Sequence, residues 1–236
     1  AAHRASQMKF VVTMEPSDIS QELSTAVHAW EDVLAQSAGQ GAGEDDDIAA
    51  AAGTWKRDDT ACIIYTSGTG GAPKGVMLHH GAIIHNCMGA YDALLELGLG
   101  EEVFLSFLPL SHSYEHMAGQ FFPISLGAQI YYAEGIEALG SNMAEVRPTI
   151  MTAVPRLYET MHARISRGVK VQGGIKEKLF MKALELGRRR YENPDGLTFG
   201  ERVTDAIVDR LVRDKVRGRF GGRLKALVSG GAPLNP

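Results

Sequence analysis

Short apolar runs alternate along this chain with stretches whose hydrophobic positions recur at helical spacing. Residues 9–14 read as a first strand. Residues 20–35 read as a helix, because Leu23, Val27, Trp30 and Leu34 fall at i, i+4, i+7 and i+11. Residues 37–53 are rich in Gly, Ala and acid and read as a solvated loop. The run Glu44-Asp45-Asp46-Asp47 in it has no histidine or turn pattern to suggest a metal site. Ile63, Ile64 and Tyr65 predict a buried strand, followed by a loop and the short apolar segment 75–78. Residues 81–97 predict a helix closed by Gly98.

The alternation continues beyond that helix. Residues 103–108 predict a strand with a helix starting near His116, residues 127–132 a strand, and 136–146 a helix. Residues 149–154 predict a further strand, and Pro155 sits at the first position of a helix over 156–165. Residues 175–191 read as a basic amphipathic helix with Ile175, Leu179, Ala183 and Leu186 on its apolar face. Residues 201–217 carry an apolar stripe of Val203, Ile207 and Leu211, and 224–228 predict a last strand. Repeated strand–helix alternation implies an α/β fold of mostly parallel sheets with crossover helices.

Composition changes this picture little. The 236 residues are 44% hydrophobic and 22% charged, as in ordinary globular proteins. A net charge of −4 argues against a general nucleic-acid binder. Cys62 and Cys87 lack zinc-ligand spacing, which favours a reducing, cytoplasmic setting. No apolar run approaches the ~20 residues that span a bilayer. The basic helix over 175–191 leaves peripheral membrane contact open, although Glu177 and Glu185 interrupt its charge and favour a solvated exterior. The chain has no initiating methionine and closes on Asn235-Pro236, a helix start with no helix behind it, so an interior piece of a longer protein is expected.

The chemistry concentrates in the loop after Tyr65. Thr66, Ser67, Gly68, Thr69, Gly70 and Gly71 lead to Lys74, held between Pro73 and Gly75. Glycines let backbone N–H groups converge on phosphate, the hydroxyls add donors, and lysine supplies a compact positive charge. A Walker A loop and a dinucleotide fingerprint both fail here, because Pro73 stands where each needs glycine. The bland alternative is a glycine-rich surface turn.

This stretch resembles the Thr-Ser-Gly-Thr-Thr-Gly-x-Pro-Lys-Gly signature of the AMP-forming adenylating enzymes, with Gly70 replacing the second adjacent threonine. Two further motifs follow in family order. Leu108, Pro109, Leu110 and His112 resemble the family's Leu-Pro-Leu-x-His, and Gly230, Gly231, Ala232 and Pro233 resemble its adenine-pocket turn. His80 matches the family's helix-entry histidine, while His79 stands where a capping hydroxyl is usual. Val154 to Glu159 and the insert over 175–191 look like the long-chain fatty acyl-CoA synthetases of bacteria.

The resemblance implies ATP, Mg²⁺ and CoA as cofactor and co-substrates, with a fatty acid activated as acyl-adenylate and passed to the CoA thiol. It implies that residues 66–71 and Lys74 hold phosphates, that Lys74 draws off charge, and that His112 orients the carboxylate. Residues 1–58 would be the trailing part of an N-terminal subdomain with its acidic loop. Residues 59–236 would be the ATP- and acyl-binding core, an incomplete piece of the large N-terminal domain. The Mg²⁺-binding glutamate is expected outside this chain, so the piece alone is not expected to turn over substrate. Two other functions stay open: a non-catalytic nucleotide- or acyl-binding remnant, and an adenylating enzyme with another acceptor, such as a carrier protein, or luciferase-like.

Overall fold

A computed structural model describes residues 9–15, 25–37, 45–67 and 72–233. Gly68, Thr69, Gly70 and Gly71 therefore lie outside the described residues. The chain divides into two compact units, residues 1–56 and 57–236.

In the first unit, β1 (Phe10–Thr13) pairs in parallel with β2 (Ala26–Ala29), and α1 (Trp30–Ser37) and α2 (Asp45–Thr54) follow. Two expectations are corrected here. The helix predicted over 20–35 holds from Trp30 onward as α1, but Ala26–Ala29 is a strand, because pairing with β1 overrides the helical spacing there, and residues 20–24 lie outside the described residues. The loop predicted over 37–53 contains α2, whose run from Ala49 to Ala52 has the highest intrinsic helix preference.

The second unit begins with β3 (Thr60–Thr66) and β4 (Lys74–His79), which form an antiparallel hairpin. The expected buried strand is thus half of a two-stranded ribbon. Ile64 is buried, while Ile63 and Tyr65 alternate onto its exposed side. α3 (His80–Leu94) runs through a 3₁₀ turn to Gly98, whose φ of 63° closes the helix as expected. Its cap corrects another expectation. His79 supplies what the missing hydroxyl would, its Nδ1 accepting the Ala82 N–H at 3.0 Å.

The remaining strands are β5 (Val103–Ser106), β6 (Gln129–Tyr132), β7 (Ile150–Ala153) and β8 (Ala226–Ser229), all parallel, in the order β6-β5-β7-β8. The two central strands are buried throughout, which is why they read as continuous apolar runs. Their side chains alternate between two layers. Leu105, Met151 and Ala153 pack with Leu139 and Met143 of α6 (Leu139–Val146) and Leu157 of α7 (Pro155–Gln172). Phe104 and Ile150 pack on the other face with Phe122 of α5 (Phe122–Ser125). Each of the larger buried side chains, Ala153 aside, contributes roughly 1.5–3 kcal/mol.

Beneath the sheet, Glu102 is 2% exposed and receives the Lys225 Nζ at 2.6 Å and the Gly100 N–H at 2.9 Å. Lys225 also donates to the Gly98 carbonyl at 2.9 Å. Burial alone would raise the Glu102 carboxyl, but hydrogen bonds from Lys225, Thr149 and Gly100, with the Lys225 charge, hold it below the ordinary value. These contacts fasten the amino ends of β5 and β8.

α8 (Gly174–Glu192) and α9 (Phe199–Val208) form a helical layer in which Ala183, Leu186 and Val208 are buried. On α8, Ala183 and Leu186 point inward as expected, but Ile175 is 77% exposed. The predicted stripe Val203, Ile207 and Leu211 also lies on the exposed side. Asp205 takes part of the buried face instead, paired with Arg213 at 2.6 Å. The basic side of α8 is partly used internally, since Arg189 and Arg190 pair with Glu201 and Asp205. α10 (Asp214–Arg219) leads into the final strand. Among the described residues, no helix is long and apolar enough to cross a membrane.

Candidate functional site

The hairpin carries the first motif at its tip. Thr66 and Lys74 are direct partners across the ribbon, so their side chains leave on the same face. Both are exposed, as is Ser67. That face is shared with Ile64 and Cys62 by strand alternation. The Cys62 Sγ lies 3.5 Å from the His116 Nε2, so this side of the ribbon is turned toward the segment after β5.

That segment carries the second motif. After β5, Leu108 to Leu110 lead to His112, which caps a continuous helical stretch made of α4 (Ser113–Glu115), the wider π turn His116–Phe121, and α5. The His112 Nδ1 accepts the Tyr114 N–H at 3.2 Å. A neutral His112 ring therefore carries its proton on Nε2, for which no partner is found among the described residues. An exposed N–H at this position can donate to an oxygen that gains negative charge.

The residues after His112 are each tied down. The fully buried Glu115 accepts hydrogen bonds at 2.5 Å from Ser106 of β5 and Thr152 of β7. The His116 Nδ1 donates to the Leu110 carbonyl at 3.1 Å, leaving Nε2 to accept the Cys62 thiol. The Tyr114 hydroxyl donates to the Val228 carbonyl at 2.6 Å, and burial pushes its phenol up to about 12.

The third motif leaves the end of β8. The Gly230 N–H donates to the Ala153 carbonyl at 3.1 Å, and Gly231 takes a φ of 80°. The Tyr114 ring lies so close over Gly230 that a Cβ there would sit 2.4 Å from it. Ala232 and Pro233 follow, exposed. The second and third motifs thus meet directly at the carboxyl ends of β5, β7 and β8, where open α/β sheets hold ligands.

A cavity of about 630 Å³ opens beside this junction, with apolar walls that include Phe107, Met143, Leu157 and Phe220. Leu108 of the second motif is one wall. Val154 is another, 3.8 Å from where a Gly231 Cβ would stand. Arg156, Arg164, Lys215 and Arg219 also line it. A second cavity of about 620 Å³, between α8 and α9, is lined by charges such as Arg190, Asp205, Asp209 and Arg217 that already pair with one another. Among the described residues, no group of three or more His, Cys, Asp or Glu side chains could hold a metal ion.

Sequence reasoning singled out His112, Lys74 and the Gly230 turn but missed Tyr114, Glu115 and the Cys62–His116 contact. A run of polar and aromatic residues directly after a buried strand was the available signal; their partners, up to 114 positions away, were not.

The family profile described as AMP-binding enzyme matches residues 2–236. Long chain acyl-CoA synthetase 6, peroxisomal, of Arabidopsis thaliana is 38% identical over 182 residues, covering 77% of this chain and 24% of that protein. Fatty acyl-CoA synthetase A of Dictyostelium discoideum is 33% identical over 180 residues, covering 76% and 26%. The adenylation domain of a carboxylate reductase from Mycobacterium chelonae shares the fold at a TM-score of 0.52 and 23% identity, over 91% of this chain and 28% of that one. The chain spans about a quarter of the length of the curated relatives it matches.

Proposed function

The chain belongs to the AMP-binding enzyme family, and from that premise we propose that it is part of an ATP-dependent, AMP-forming long-chain fatty acid–CoA ligase. One observation carries the reading: the His112 segment and the Gly230 turn adjoin each other at the carboxyl ends of the sheet, beside a largely apolar cavity. Its volume of about 630 Å³ is within the range of roughly 300–1,000 Å³ usual for small-molecule sites. The names of the relatives support the acyl class.

In the first step a carboxylate oxygen attacks the α-phosphate of ATP, the bond to the bridging oxygen breaks, and pyrophosphate leaves. Such phosphorus chemistry is governed by positioning and charge neutralisation. The loop over 66–71 and Lys74 hold the departing phosphates, and Lys74 takes up their charge. His112 holds the carboxylate in line through its Nε2–H. In the second step the CoA thiolate attacks the acyl carbonyl carbon and AMP leaves with the bonding pair. The Gly230–Pro233 turn provides a flat wall for the adenine. With its two cysteines unbridged, the enzyme suits a reducing cytoplasm.

Fatty-acid-dependent ATP–pyrophosphate exchange by the full-length protein tests this. We expect exchange, acyl-CoA as product, and a loss of about 100-fold in Lys74→Ala. A protein that binds ATP without any exchange would be a binding remnant. Exchange unaffected by Lys74→Ala would remove the role given to the lysine.

A further inference from the structure

The geometry points to Tyr114 as a positioning residue that sets the distance between the carboxylate-orienting His112 and the adenine wall at Gly230. This deepens the adenylation reading and rests on it.

Tyr114 is attached at both ends. Its backbone N–H is bound to the His112 Nδ1 at 3.2 Å, so the His112 ring is oriented by the residue that also reaches the adenine turn. Its hydroxyl is bound to the Val228 carbonyl at 2.6 Å, one residue before Ser229 ends β8. Its ring covers Gly230 at a distance that admits no side chain, the nearest ring carbons lying 2.4 and 2.5 Å from a Cβ built there. One rigid side chain with only two rotatable bonds thus spans the gap between two motifs that are far apart in sequence. β8 is an edge strand on the described sheet, with β7 its only partner there. Its carboxyl end is held by the Tyr158 hydroxyl on the Leu227 carbonyl at 3.2 Å and by the Gly230 N–H on Ala153, but of these attachments Tyr114 is the one that also binds His112.

The side chain is not needed for any bond-making step, because its hydroxyl is committed to a backbone carbonyl. Its effect is geometric. A misplacement of about 1 Å between reacting groups can cost roughly 100-fold in rate.

The test uses the full-length protein with Tyr114→Phe, Tyr114→Leu, Gly230→Ala and the double variant Tyr114→Leu/Gly230→Ala. KM for ATP, KM for fatty acid, kcat for pyrophosphate exchange and melting temperature are measured for each. Tyr114→Phe keeps the ring and loses the hydroxyl, so KM for ATP should rise about five-fold, the loss expected for one net hydrogen bond, while KM for fatty acid stays. General destabilisation would lower the active fraction, and with it apparent kcat, without moving either KM. Gly230→Ala should cost roughly 100-fold beside an intact Tyr114 and less than about three-fold beside leucine, because the clash is with the ring. Unchanged KM for ATP in Tyr114→Phe, or an equal Gly230→Ala penalty in both backgrounds, would overturn the proposal while wild-type exchange upholds the function. Absence of exchange in the wild type would overturn both.

Discussion

The Glu115 carboxylate accepts a hydrogen bond from the Thr152 hydroxyl at 2.5 Å, and neither side chain is more than 2% exposed. Ser106, on the neighbouring strand, supplies the matching bond to the other carboxylate oxygen. A buried acid is thereby satisfied by two hydroxyls, and the helix after His112 is fixed over β5 and β7. Glu115→Ala should cost about 3 kcal/mol in urea unfolding, because both hydroxyls lose their acceptor. Glu115→Gln should cost about 1 kcal/mol, since the hydroxyls can turn to meet an amide of the same shape. The reverse ranking would mean the pair is incidental to stability.

The Lys225–Glu102 pair predicts a pH signature. Glu102 is held below its ordinary value in the folded state, so its contribution is present above the unfolded carboxyl pKa and lost as pH falls through the folded one. Lys225→Met removes the largest of the opposing interactions and leaves burial in control. It should cost about 2 kcal/mol at pH 7, below the usual figure for a broken buried pair because Lys225 is 36% exposed. The gap between wild type and variant should narrow as pH drops below the carboxylate range. A gap that stays constant with pH would separate the stability loss from this charge.

His79 makes a simple comparison. Its Nδ1 caps α3, so His79→Ser should preserve stability within a few tenths of a kcal/mol and His79→Ala should lose about 1 kcal/mol. Equal losses in both variants, read by thermal melting, would show that the ring matters for something other than its cap.

Gly70 stands where the signature that this loop resembles has threonine. A hydrogen bond to a charged group is worth about 1.5–3 kcal/mol, and in the proposed phosphate-binding role glycine would add freedom to this loop. Gly70→Thr in the full-length protein should lower KM for ATP. An unchanged or raised value would show that the loop grips ATP without that hydroxyl.

These features differ in how far they could be read from the residues alone. β5 and β7 were legible because central parallel strands bury both faces and leave uninterrupted apolar runs. Pro155 and Gly98 marked helix ends by their own backbone preferences. The strand at Ala26–Ala29 was hidden because only its partner 16 positions earlier makes it a strand. The stripe of Val203, Ile207 and Leu211 misled for a related reason: Arg213 in the turn after α9 and Arg190 of α8 both pair with Asp205, so Asp205 turned inward to meet charge. At the site, motif residues were visible by type and order, but the bond from Tyr114 to Val228 depends on sheet topology. No local pattern encodes it.

The strand order β6-β5-β7-β8 has a consequence for how the protein is made. Residues 154–225 separate β7 from β8, so at about 5–20 residues per second the ribosome takes several seconds to deliver β8 after β7. Through that interval the far edge of β7 carries unpaired backbone groups, and the ring of Tyr114 has no glycine turn to cover. Nascent chains stalled between α7 and β8 should therefore be the ones that chaperones hold, and the contact of Tyr114 with the Gly230 turn forms only once β8 has paired.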